Sequence, residues 1–458
     1  MNIASDSLRA TEATGKANML AAAAPSPGVG SPVSRAYMWT VFFLTWALMM
    51  HDYLSRMIIS SILPALKATW ALSDSQLGGL VSIVALTVAL LAIPLSLVAD
   101  RWGRVKSITL MAVVWCLATI ACGMATNYTQ LLVARAIVGF GEAAYGPAGL
   151  ALLTHAFPER QRATILGAFQ SAAMFGSVLG VILGGVIAAR YGWRTAFIVV
   201  GAPGLLFAVL YPFLVRDYKT VRLPGRDEAP ESTTENAVSA PAESLRRRAG
   251  RIACQLFRAR SANFTYVAFG MQFGVAAFVT AWTPTYLNRY FDMPLEKAAM
   301  VAAAAVLALG IGLIFGGAVT DWLSRKNPRN RTRIPAAFAA LSGIVLMVAY
   351  ALPPGPLALG LIFAGGLFAV APCGPAMALA VEVTHPAVRA TVGATISLFG
   401  NGLGNGVAPF LVGLGSDAVG LKLALTLAPT ISLCGALCIL LASRTYEADA
   451  SRQRAYAS

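Results

Sequence analysis

The chain is dominated by long stretches that contain no Asp, Glu, Lys, Arg or His. They run over residues 77–99, 107–134, 163–189, 195–215, 261–288, 298–320, 334–381, 390–416 and 423–443. A bilayer core of about 30 Å takes about 20 apolar residues as helix, and each stretch reaches that length. Stretch 334–381 is too long for one crossing. Leu352-Pro353-Pro354-Gly355-Pro356 divides it, because no helix continues through such a run of prolines. Two more apolar segments carry internal charge: 36–64 holds His51, Asp52 and Arg56, and 131–154 holds Arg135 and Glu142. The pattern predicts an all-α membrane protein with twelve transmembrane helices. Composition agrees, since 12% charged residues, against about 25% in soluble domains, leave too little polar surface for a soluble globule. A transmembrane barrel is excluded, because its strands alternate over about 10 residues. A disulfide scaffold is excluded too: no two cysteines form a C-x-x-C pair. Cys116, Cys122, Cys373, Cys434 and Cys438 lie in apolar runs and Cys254 in a loop.

With the N-terminus placed in the cytoplasm, 27 of the 35 Lys and Arg fall in tails and loops on that side. Six fall on the other: Lys67, Arg190, Arg194, Arg289, Lys297 and Lys422. The positive-inside rule then places both termini in the cytoplasm. The same residues explain the net charge of +15 through attraction to an anionic leaflet, with no nucleic-acid partner. Residues 1–35 have only a short apolar run, Met19–Ala24, too short for a signal sequence, and read as a disordered cytoplasmic tail. Residues 216–260 are polar, with Pro224, Gly225, Pro230 and Pro241. They read as a cytoplasmic linker between six-helix halves at 36–215 and 261–443, followed by a cytoplasmic tail at 444–458. Arg246-Arg247-Arg248 reads as solvated positive-inside charge, or as part of a surface helix on anionic lipid.

The halves repeat. Asp100 and Arg104 after the second span match Asp321 and Arg325 after the eighth. Gly146-Pro147-Ala148 followed by Arg162-Ala163-Thr164 matches Gly374-Pro375-Ala376 followed by Arg389-Ala390-Thr391. The offsets are 221, 228 and 227 residues. Parallel halves of this kind are a transporter architecture, with the substrate between them near the midplane.

On these residues the chain resembles the major facilitator superfamily. The cytoplasmic signature of that family is matched by Asp100, Arg101, Gly103, Arg104 and Lys106, with Ser96 in place of the leading Gly. Its helix 4 signature R-x-x-x-G-x-G is matched by Arg135, Gly139 and Gly141. Within the superfamily it looks most like the spinster-like group and related organic anion symporters, on Gly139-Phe140-Gly141-Glu142, Tyr145-Gly146-Pro147, Phe157-Pro158-Glu159-Arg160, Gly192-Trp193-Arg194 and Trp282-Thr283-Pro284-Thr285-Tyr286. One departure stands in helix 1. Where that group has N-Y-x-D-R, this chain reads Asp52-Tyr53-Leu54-Ser55-Arg56, so the carboxylate sits one helical turn before the arginine and can still pair with it.

Charge inside a membrane costs about 2.5–3.5 kcal/mol per residue on insertion scales and is functional by default. Arg135 and Glu142 are two turns apart and face one way. The resemblance implies that both line a central cavity, with Glu142 carrying the proton; a fixed pair that only ties helices together is the other reading. Asp52 and Arg56 form the second candidate pair, for proton and anion, unless they lie near solvent at the outer end of helix 1. His51 beside them reads as a buried polar residue or a titrating one. Candidate substrate contacts are Arg56, Arg135, Tyr145, Gln272, Trp282, Tyr286, Asn401 and Asn405; interhelical hydrogen bonding explains the asparagines equally well. The resemblance assigns Asp100, Arg101, Gly103, Arg104, Glu159, Arg162, Asp321, Arg325, Glu382 and Arg389 to a cytoplasmic gate that holds the halves together; helix capping and positive-inside charge alone are the other reading, and fit Arg325 and Lys326. Gly167, Gly176, Gly180, Gly184 and Gly185 resemble the antiporter motif of drug exporters, but Val181 stands in place of its Pro. Spacing of four makes this stripe chiefly a packing face.

No G-x-x-x-x-G-K-[ST] loop and no H-E-x-x-H occur, so neither ATP-driven pumping nor a metal site is expected, and no cofactor or enzyme activity. The expectation is a monomeric secondary transporter of the cell inner membrane, working by alternating access. Proton-coupled symport of a small organic carboxylate leads; proton-antiport export of amphipathic lipids or drugs is the alternative. A reporter fused after residue 458 should be active only as a cytoplasmic enzyme, while alkaline phosphatase activity at that site would reverse the orientation.

Overall fold

The computed structural model describes residues 34–215, 250–251, 254–327, 329–385 and 389–455. The expected tail up to residue 33, most of the linker with Arg246-Arg247-Arg248, and the side chains of Asp100, Glu159 and Arg389 lie outside the described residues. Among the described residues, twelve long helices run in order. They are α1 (Arg35–Trp70), α2 (Asp74–Trp102), α3 (Arg104–Met124), α4 (Tyr128–Glu142 and Tyr145–Ala156), α5 (Glu159–Tyr191) and α6 (Trp193–Leu214). Then follow α7 (Arg260–Tyr290), α8 (Leu295–Lys326), α9 (Asn330–Ala351), α10 (Pro356–Val370 and Cys373–Glu382), α11 (Arg389–Phe399 to Ala408–Val419) and α12 (Leu421–Leu427 and Thr430–Ala455).

Among the described residues, ten spans are long and apolar enough to cross a bilayer. The remaining two helices, α1 and α11, have separate reasons. Helix α1 carries His51, Asp52 and Arg56 at its middle. Helix α11 is interrupted by a six-residue π-helix, Gly400–Asn405. Between successive helices the chain reverses tightly. Gly103 has φ +110°, a conformation that side chains with a Cβ rarely adopt, and it ends α2 and opens α3 in one residue.

The first six helices pack together through α1 on α5, α3 on α6, and α4 on α2 and α3. The last six pack through α7 on α12, α9 on α10 and α12, and α8 on α10. The two groups meet where α2 crosses α11, α5 crosses α8 and α1 meets α7. These junctions lie towards the face away from the termini, here called the far face. On the terminal face, the second segments of α4 and α10 pack chiefly within their own groups. Among the described residues, contacts between the two groups are therefore concentrated towards the far face.

The glycine stripe of α5 explains how α1 comes so close. A Cβ at Gly176 would meet the Met50 carbonyl, one at Gly180 would sit 2.6 Å from the Leu54 carbonyl oxygen, and one at Gly184 would sit 2.6 Å from Ser61 Oγ. Small residues let backbones approach in this way. Gly185 turns to α8, where Ala299 fills the space. Gly167 has nothing within 4 Å of its Cβ position and is no part of the packing face. Gly180→Val should therefore lower stability by about 1–3 kcal/mol, the usual cost of overpacking, while Gly167→Ala should leave the thermal midpoint in detergent unchanged; equal midpoints for both would contradict this packing.

Candidate functional site

Arg56 lies fourteen residues from the far-face end of α1 and Glu142 fourteen residues from the far-face start of α4. At 1.5 Å per residue both sit about 21 Å deep, in the middle of the membrane. The expectation that Asp52 and Arg56 could lie at the outer end of helix 1 is corrected by this depth. Glu142 is completely buried at its side chain and forms an ion pair with Arg56 Nη2 at 2.9 Å. Asp52 Oδ1 lies 3.4 Å from the same Nη2, one turn earlier on α1. Ser55 Oγ donates to Glu142 Oε1 at 3.3 Å and to the Asp52 carbonyl at 2.8 Å. So Asp52 and Ser55 both belong to one cluster with Glu142. Arg56 stacks over the Tyr53 ring at 5.2 Å, keeps 13% side-chain exposure, and its Nε has no hydrogen-bond partner.

Arg135 does something other than its spacing suggested. It shares a face with Glu142 on α4, but Glu142 is taken by Arg56. The Arg135 guanidinium instead donates to three main-chain carbonyls, Leu80 of α2 and Ser55 and Arg56 of α1, each at 3.3 Å. With 1% exposure it is fully enclosed. Its charge is stabilised by carbonyl dipoles, and it ties α1, α2 and α4 at the level of the cluster.

The other predicted contacts separate into two groups. Tyr145 is buried, with its hydroxyl donating to the Thr45 carbonyl at 2.6 Å. Gln272 is satisfied by Ser432, through Nε2 to its carbonyl at 3.3 Å and Oε1 from its Oγ at 3.0 Å. Trp282 Nε1 donates to the Pro409 carbonyl at 3.1 Å. Tyr286 is fully buried against Tyr290, Phe291 and Tyr350. These four pack inside their own half. Asn401 and Asn405 differ, because they lie on the π-helix and are only partly buried. Gly400 and Gly404 face α7, and Gly402 and Gly406 face α2, which leaves the asparagines in the gap between those helices. Asn405 Nδ2 donates to Asn401 Oδ1 at 3.3 Å. π-helical turns occur often at functional sites.

On the terminal face, Arg101, Asp321 and Arg325 are exposed. Arg162 Nε donates to the Phe157 carbonyl at 3.4 Å. Glu382 pairs with Arg331 at 2.8 Å, within the second half. Among the described residues, a dense polar junction between the halves lies at the opposite end and was not legible in the sequence. Asp74, at the start of α2, accepts both Nη atoms of Arg289 on α7 at 2.7 Å, Lys67 Nζ at 2.7 Å and the Ser416 hydroxyl of α11. Asp417 of α11 accepts the backbone N–H groups of Asp74 and Ser75 at 2.7 and 2.9 Å, so one half caps a helix of the other, where the helix dipole favours negative charge. Arg190 of α5 and Glu296 of α8 add a more exposed pair at 3.0 Å. Ser73 and Gln76 form a capping box here, and the partners of Asp74 on α7 and α11 come from 215 and 342 residues away.

A sequence profile of the Major Facilitator Superfamily matches residues 45–409, most of the chain. The chain belongs to the Major Facilitator Superfamily. It is thus a multi-pass membrane transporter and not an enzyme. Among similar superfamily proteins is a probable sulfoacetate transporter of Cupriavidus necator, 28% identical over 65% of this chain and 68% of that one. A cis,cis-muconate transport protein of Acinetobacter baylyi is 26% identical over 82% of this chain and 88% of its own. An MFS-type efflux pump of Mycolicibacterium smegmatis is 28% identical over 87% and 91%. Among solved structures, a bacterial homolog of the human lysosomal transporter Spinster, inward-facing and unoccupied, superposes with a TM-score of 0.77 at 21% identity, covering 91% of this chain and 99% of that one.

Asp74→Asn should weaken the far-face closure. Spin labels at Thr69 and Leu423, both exposed and in different halves, should show a longer-distance population in the variant; an unchanged distance distribution would remove Asp74 from the closure.

Proposed function

We propose that this chain is a proton-coupled symporter that carries a small organic anion, a carboxylate, into the cytoplasm by alternating access. The observation that carries this reading is Arg56, held at mid-membrane between Glu142 and Asp52 with its Nε unpartnered. A carboxylate substrate fits a guanidinium in a planar, two-point contact. To take it, Arg56 must give up Glu142 or Asp52, and protonation of that acid is the step that releases it. Two acids and two arginines at this depth cancel when all are ionised. One proton entering with one anion keeps that balance, and either alone would leave an uncompensated charge in low dielectric. Coupling follows from this arithmetic.

Arg135, engaged by main-chain carbonyls, serves the anion through the position it gives to Ser55 and Arg56. Asn401 and Asn405 supply polar contacts from the second half. Placing the terminal face in the cytoplasm, as the basic residues favour, makes the described state inward-open, closed outside by Asp74, Arg289 and Asp417. Asp100, Arg101, Gly103, Arg104, Glu159, Arg162, Asp321, Arg325, Glu382 and Arg389 then act as the gate of the opposite, outward-open state. The relatives whose names specify sulfoacetate and cis,cis-muconate, both organic acids, support an anionic substrate and the bacterial inner membrane. We read the working unit as a monomer of two six-helix halves joined by the 216–260 linker. Export by antiport uses the same residues, and the efflux-pump relative, matched over 87% of this chain, favours that second reading.

Glu142→Gln should abolish accumulation driven by a pH gradient while leaving substrate exchange in proteoliposomes near wild type. Full accumulation in this variant would remove Glu142 from coupling. Arg56→Ala should lower affinity for an acidic substrate by tenfold or more, and an unchanged affinity would contradict the anion site.

A further inference from the structure

His51 lies beside this cluster and takes no part in it. Its ring is 5% exposed and both nitrogens are engaged. Nε2 lies 2.7 Å from the Val200 carbonyl of α6. Nδ1 lies 3.3 Å from Trp115 Nε1 and 3.9 Å from Cys116 Sγ, both on α3. A carbonyl only accepts, and an indole N–H only donates. The ring therefore carries its proton on Nε2 and offers a lone pair at Nδ1. A second proton, on Nδ1, would point at the indole N–H. Among the described residues, the titratable groups at the ring are Asp52 on its own helix and Cys116 on α3; its hydrogen-bond contact on α6 is the main chain of Val200. Gly204 of α6 makes the room: a Cβ there would collide with Cε1, Nε2 and Nδ1 of the ring. Six residues earlier, α1 is fixed again at Thr45. Its carbonyl takes the Tyr145 hydroxyl and its Oγ1 meets Tyr211 at 3.0 Å. Tyr145 in turn packs edge-on against Trp115, ring centroids 5.0 Å apart.

We propose that His51 is a positioning residue: a permanently neutral imidazole that clamps α1 to α3 and α6 and sets the helix rotation at which Asp52, Ser55 and Arg56 converge on Glu142. The idea rests on the coupling role proposed for those acids. Residue 52 follows the clamp directly, and residues 55 and 56 follow one turn later, so a rotation of α1 about its axis moves all three relative to α4. A neutral ring adds position without adding charge, which leaves the balance of two acids and two arginines intact. His51 is thus outside the proton path, although it is the only histidine in α1 and next to a carboxylate.

The test uses the full-length protein in proteoliposomes. His51→Leu keeps an apolar side chain of similar size but removes both hydrogen bonds. It should shift the pH midpoint of substrate uptake and cut the protons moved per substrate, while Glu142-independent exchange continues. His51→Gln, which offers one donor and one acceptor, should restore the wild-type pH profile. A wild-type profile and stoichiometry in His51→Leu would overturn the proposal, and so would His51→Gln failing as His51→Leu does. Nitrogen-15 NMR of the histidines, three in the chain and assigned with His51→Gln, reads the ring directly, whether or not His51→Leu folds. A neutral Nε2–H ring from pH 5 to 8 is expected; protonation of His51 within that range would overturn the clamp. If the wild type moves no protons with substrate, the symport reading fails while the NMR result still stands on its own.

Discussion

Everything at the centre of this transporter follows from the cost of holding charge where there is no water. Four ionisable side chains, Asp52, Arg56, Arg135 and Glu142, lie buried or nearly so. Each has to be compensated by a neighbour in the same low-dielectric space. The compensation is of two kinds. Arg56 is balanced by carboxylates, and that balance a proton or a substrate anion can change. Arg135 is balanced by carbonyl dipoles, and that balance stays constant. The first kind suits a coupling site and the second a brace.

The packing of the first half serves this arrangement. The glycines of α5 bring α1 close, His51 and Thr45 fix its rotation, and Arg135 holds its main chain at Ser55 and Arg56. The second half meets α2 through α11. There α11 is wound as a π-helix of glycines and asparagines, GNGLGN, so that two polar side chains stand between α2 and α7. The far-face junction at Asp74 keeps the halves together at one end. Alternating access requires that this junction come apart while its counterpart forms on the terminal face.

The number of helices and their charge-free cores were legible in the sequence, because the period and length of apolar runs are local properties. So were the buried acids and arginines, since charge in an apolar run is conspicuous. Their pairing was not. Seven-residue spacing placed Arg135 and Glu142 on one face, but the partner of Glu142 is set by the approach of α1, 86 residues earlier at Arg56. Two expected contacts, Gln272 and Trp282, turned out to be satisfied within their own half, and Tyr286 to be packed among aromatics there. A polar residue in an apolar run looks the same in sequence whether it faces a cavity or a neighbouring helix. The junction of Asp74, Arg289 and Asp417 was not legible, since only the fold brings α2, α7 and α11 to one point.

The central claim is that anion and proton travel together through the Arg56 site. It is tested most directly with purified protein in proteoliposomes holding a trapped pH dye, to which organic acids of graded size and charge are added outside. The account predicts that one or more of these acids acidifies the lumen, at a rate that depends on its own concentration. Lumenal alkalinisation, or proton movement elicited only by lipids or cationic amphiphiles, would contradict it.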